Sequence, residues 1–123
     1  MESKKTVIFG ASPNPSRYAY MAAEQLAGYG YEFVPVGIKQ GKVFGETIRD
    51  LRQRPIIDDV DTVTMYIGPH NQPEWYDYLI SLKPRRIIFN PGSENPELEK
   101  LLSAHRIESV FGCTLVMLQT GQY

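Results

Sequence analysis

The chain has 123 residues, 42% of them hydrophobic, which suffices for one domain with its own core. Its 13 basic and 14 acidic side chains nearly cancel, excluding a general nucleic-acid or anionic-membrane binder, which needs a basic excess. A single cysteine, Cys113, excludes an internal disulfide and points to a reducing compartment.

The opening Met1-Glu2-Ser3-Lys4-Lys5 lacks the apolar stretch of a leader peptide, and no apolar run is long enough to span a bilayer. A cytoplasmic protein without a membrane partner is expected. From there, short β-rich runs alternate with helical segments, the pattern of a parallel sheet. Thr6 to Phe9 reads as the first strand, ending at Gly10. Arg17 to Ala27 reads as a helix with Ala19, Ala22, Ala23 and Leu26 on one face, closed by Gly28 and Gly30. Tyr31 to Val36 is the second strand. Residues 37–59 are irregular, with one short helix expected over Glu46 to Leu51.

Asp61 to Ile67 reads as the third strand. Pro73 to Leu82 reads as a helix presenting Trp75, Tyr78, Leu79 and Leu82. Arg86 to Phe89 is the fourth strand. Asn95 and Pro96 form an N-cap and a first-turn proline, and the helix they start buries Leu98, Leu101 and Leu102. Ile107 to Phe111 is the fifth strand, and Cys113 to Gln119 is a short helix. The sum is one domain over residues 1–123: a three-layer, Rossmann-like α/β fold with a mostly parallel five-stranded sheet in the order 3-2-1-4-5. Ligands of such sheets sit beyond the carboxyl ends of the strands where the order reverses. That rule selects the loops after Phe9, Val36, Ile67 and Phe89.

The first loop reads Gly10-Ala11-Ser12-Pro13-Asn14-Pro15-Ser16-Arg17. It combines a sharp turn, helix-start amides, two hydroxyls and a guanidinium, a set suited to phosphate. Ser16 reads equally well as a helix cap. Ser12 and Pro15 stand where a dinucleotide fingerprint wants glycine. The second strand ends in Val36-Gly37-Ile38-Lys39, with a lysine and no carboxylate for ribose hydroxyls. A cation there suits a ligand with an extra ribose phosphate, coenzyme A or NADP. The fourth loop, Asn90-Pro91-Gly92-Ser93-Glu94-Asn95, can offer backbone amides to the same crevice, and the third, Gly68-Pro69-His70-Asn71-Gln72-Pro73, faces its rim.

Together, Val7-Ile8-Phe9-Gly10-Ala11-Ser12-Pro13 with Arg17 and Tyr18, Gly28-Tyr29-Gly30-Tyr31, Val34-Pro35-Val36, Asp61-Thr62-Val63, and Asn90 to Asn95 followed by Cys113 carry a family resemblance. The chain resembles the small stand-alone CoA-binding domain proteins of the YccU-like group, whose domain also forms the N-terminal part of the succinyl-CoA synthetase α subunit. The resemblance implies a domain that binds extended coenzyme A or an acyl-CoA, without turnover. By position it implies Gly10, Ser12 and Arg17 at phosphate with Tyr18 nearby, Lys39 near the adenosine phosphates, and Pro91 and Gly92 beside the pantetheine arm; Ala11, Val36 and Gly68 complete the expected cofactor-binding set. Gly37-Ile38 departs from the asparagine common there in relatives.

No catalytic set and no metal site are expected from His70 and His105, the latter read as structural on the apolar phase of its helix. Cys113 reads either as a thiol able to exchange with coenzyme A or as a small buried residue. Most of the eight tyrosines read as packing, with one or two free to stack on adenine. An NADP-dependent oxidoreductase and a nucleotide-sensing subunit are the competing functions. The apolar stretch Leu115 to Leu118 would supply a docking or homodimer seam.

Overall fold

The computed structural model describes residues 4–123, so the expectation of no leader peptide falls partly outside the described residues. Strand β1 (Thr6–Phe9) leads through α1 (Tyr18–Gly28) to β2 (Phe33–Gly37). The irregular segment holds a two-residue hairpin, β3 (Lys42–Val43) and β4 (Glu46–Thr47), and then β5 (Arg49–Asp50). After β6 (Thr62–Met65) come α2 (Tyr76–Ser81), β7 (Arg86–Phe89), α3 (Pro96–Ala104), β8 (Glu108–Phe111) and α4 (Thr114–Gln119).

Six strands pair in the order β5-β2-β1-β6-β7-β8, all parallel. The fold class is as expected, and the strand order is corrected. The place beyond β2 belongs to Arg49–Asp50, while β6 pairs with β1, Thr6 opposite Thr62. Two residues are too few to show a period-two pattern, so β5 leaves no trace in the sequence. The helix expected over Glu46 to Leu51 is instead β4, β5 and a 3-10 turn at Leu51–Gln53. The helix expected from Pro73 starts as a 3-10 turn, Pro73–Trp75, and becomes α-helical at Tyr76.

Strands β1, β2, β6 and β7 are buried along their whole length, because helices cover both faces. Val7, Phe9, Val63, Met65, Ile87 and Phe89 join Tyr78, Leu79, Leu98 and Leu102 in one core. Ile8 and Ile88 join Ala19, Ala23, Leu26 and Leu118 in the other. Alternation along each strand thus splits the apolar set between two helical layers. All four apolar residues foreseen on α1, and all four on the segment from Trp75 to Leu82, are buried. Leu118 packs inward, so the apolar tail is partly spent on the fold itself, with Val116 left exposed.

The far end of the sheet is closed by Tyr123. Its hydroxyl pairs with Thr6 Oγ1, and its ring lies 4.7 Å from the Arg86 guanidinium. Its carbonyl oxygen accepts from Arg86 Nη2 at 2.8 Å and from Lys4 Nζ at 2.7 Å. Arg86 is buried, and the remaining Nε donates to Thr62 Oγ1 at 2.8 Å, so the buried cation is supplied with acceptors.

Candidate functional site

The loops that leave β2, β1, β6 and β7 at their carboxyl ends enclose a cleft of about 700 Å³. It lies where the chain crosses from the β1–β2 side to the β6–β7 side, as expected for a doubly wound sheet. Gly10 makes the first turn at φ 99°, a conformation that side chains resist. A Cβ there would come within 2.9 Å of Ile67 Cγ1. Gly37 answers it from β2, where a Cβ would stand 2.7 Å from the Ala11 carbonyl oxygen. The two glycines let three backbones converge under the cleft.

Of the residues singled out above, Gly10, Ser12, Arg17, Tyr18, Lys39, Gly68, Pro91 and Gly92 line the cleft together. Ala11 and Val36 do not: both are buried behind its wall. The Gly10 and Ala11 amides both donate to the Val36 carbonyl oxygen, at 2.9 and 3.0 Å. The turn therefore keeps these two donors for itself, and the cradle begins further along. Among the described residues, the Ser12, Tyr18 and Ala19 amides have no acceptor. Ser12 Oγ accepts from the Asn14 amide at 3.1 Å and retains its own proton for a ligand.

Arg17 occupies the N-cap of α1, extended at φ −90° and ψ 145°, and no side chain caps that helix. Ser16, read as a cap, donates instead to Asn14 Oδ1 at 2.9 Å. The Arg17 and Lys39 side chains are exposed and meet no acidic partner among the described residues. Glu74 is the carboxylate that shares the cleft with them. Tyr18, 68% exposed, stands at the mouth with its ring uncovered.

The fourth loop gives less backbone than expected. The Gly92 amide is bound to Glu94 Oε1 at 2.8 Å and the Ser93 amide to the Asn90 carbonyl at 2.9 Å. Asn90 is buried and works as a buckle. Its Nδ2 donates to Thr64 Oγ1 and the Met65 carbonyl, and its Oδ1 accepts from the Thr114 amide. The floor that sequence reasoning missed is Leu51, Met65, Tyr66 and Trp75. The helical face containing Trp75 was a signal for core, and it serves core and cleft at once. Burial pushes the Tyr66 phenol up to about 12.

His70 is exposed and does not line the cleft. His105 is exposed at the C-cap of α3, correcting its reading as a packed residue: the helix ends before its side chain can turn inward. Cys113 is half-buried at the N-cap of α4, outside the cleft lining. Among the described residues no cluster of histidine, cysteine, aspartate or glutamate could hold a metal, and no helix is long and apolar enough to cross a membrane.

A parallel, doubly wound sheet with a polar-rimmed cleft at its crossover defines an α/β domain of the Rossmann class. The chain belongs to the CoA binding domain family, whose sequence profile matches residues 4–119. It is similar along its full length to a protein of known crystal structure described as uncharacterized, with 57% identity, both chains fully covered and a TM-score of 0.95. A protein from Pyrococcus furiosus is 26% identical, with 94% of this chain and 98% of that chain covered and a TM-score of 0.78. A dinucleotide-forming acetyl-coenzyme A synthetase from Ca. Korarchaeum cryptofilum shares the fold at 15% identity and a TM-score of 0.73. There, 89% of this chain covers 25% of the larger one. No curated protein matches the sequence.

Proposed function

We propose that the cleft binds coenzyme A or an acyl-CoA, and that the protein acts as a stand-alone binding module for it. The observation that carries this reading is a pair of cations without acidic partners, Arg17 and Lys39, flanking open amides at the first turn of α1. Membership of the CoA binding domain family supports it. The diphosphate would lie on the Ser12, Tyr18 and Ala19 amides and take a bidentate grip from Arg17. Lys39, just beyond the end of β2, would meet the ribose phosphate. Pro91 and Gly92 would flank the pantetheine arm over the apolar floor of Leu51, Met65 and Trp75.

Thermal shift and calorimetry with coenzyme A, dephospho-coenzyme A, acetyl-CoA and NADPH test the proposal. At a hundredfold excess over Kd, coenzyme A should stabilise the fold by about 2.7 kcal/mol, a Tm rise on the order of 10 °C. Lys39→Ala should erase the preference for coenzyme A over its dephospho form. A shift with NADPH and none with coenzyme A would overturn the reading.

A further inference from the structure

We propose that Gln72 is a positioning residue of the cleft: one buried side-chain amide latches the loop after β6 to the loop after β7. Gln72 is fully buried, although it sits in a loop and is polar. Its Nε2 donates one hydrogen to the Ile67 carbonyl and the other to the Ser93 carbonyl, each at 2.8 Å. Ile67 and Ser93 both line the cleft, one on each loop. Among the described residues no backbone hydrogen bond joins these two loops. Asn90 ties the strand ends at the base, so Gln72 is the tie nearer the rim.

The latch is itself held in orientation. Gln72 Oε1 accepts from Asn95 Nδ2 at 2.8 Å, so both donors and the acceptor are engaged. The same Asn95 nitrogen reaches Tyr76 Oη at 2.9 Å, and Asn95 Oδ1 caps α3 through the Leu98 amide at 3.1 Å. Tyr76 in turn donates to Glu97 Oε1 at 2.9 Å. The start of α2, the start of α3 and both loops therefore share one polar network, in which each member fixes the next. Two carbonyl oxygens face the amide nitrogen, and only a group with two hydrogens satisfies both. The spacing of the β6 and β7 walls is thus set by Gln72, which itself lies outside the cleft lining.

The ligand readout of this inference rests on the coenzyme A reading; the loop readout does not. Gln72→Met keeps length and volume and removes all three hydrogen bonds. Gln72→Glu keeps the acceptor for Asn95 and turns a carboxylate onto two carbonyls. Hydrogen exchange in the free protein compares Asn71 and Ser93, hydrogen-bonded amides of the two loops, with β1 amides as reference. In both variants the loop amides should exchange about tenfold faster while the β1 amides hold their rates. The Kd for coenzyme A should rise by a similar factor. Wild-type exchange in the loops, equal acceleration throughout the sheet, or failure of both variants to fold would each overturn the assignment. If the native protein ignores coenzyme A, the functional reading falls and the exchange comparison still decides the latch.

Discussion

The absent methyl at Gly37 shapes the cleft as much as any side chain in it. An added Cβ would stand 2.7 Å from the Ala11 oxygen and 3.1 Å from the Ala11 nitrogen, both backbone atoms with little room to yield. Gly37→Ala is expected to push the first loop off β2, lowering stability by about 1–3 kcal/mol and weakening ligand binding. Denaturant midpoints and calorimetry would check this; an unchanged midpoint would show that the loop gives way freely. The two glycines differ in legibility. Gly10 announces itself by ending a β-rich run, whereas Gly37 shows in the sequence only as a departure from the family pattern. The loops of Gln72 and Asn90 were legible as cleft loops, but the burial of these two side chains was not, because polar loop residues belong at the surface unless tertiary packing encloses them.

At the scale of the element, α1 starts against the rules of helix capping. Its N-cap is Arg17, a residue that cannot accept from the free amides and places positive charge at the positive end of the helix. A cap of this kind is a local conflict of the sort functional sites retain. Arg17→Ser is therefore expected to raise the stability of the free protein by up to about 1 kcal/mol while weakening coenzyme A binding. Melting without ligand and titration with it would show the two effects with opposite signs; a lower Tm would make Arg17 structural. Elements with a full period were readable: β1, α1, β7 and α3 stand within a residue of their expected starts. The stretch from Lys42 to Gln53 was not, because each of its elements has two or three residues and is held by neighbours rather than by its own pattern.

Over the whole molecule, Asp61 binds segments that are distant in the chain. Its carbonyl oxygen accepts from the Arg85 and Arg86 amides, and its amide donates to the Lys5 carbonyl. Partial burial pushes its carboxyl up, but bonds from Arg85 and Thr62 outweigh this and hold it below the usual carboxylate range. A depressed folded pKa means the stabilisation is present above the unfolded-state pKa and lost as pH falls through the folded one. Asp61→Asn should thus lower Tm near neutrality and converge with the parent at acid pH, in melts recorded from pH 7 to pH 3; parallel curves would sink this account. The strand order escaped the sequence for a related long-range reason: β5 exists only because β2 offers it an edge.

The Val36 carbonyl oxygen holds the amides of both Gly10 and Ala11. A turn fastened in this way would need no folding to accept the proposed ligand. Capture should then proceed at the pace of diffusive encounter, and the heat-capacity change of complex formation should report little beyond the surface the ligand covers.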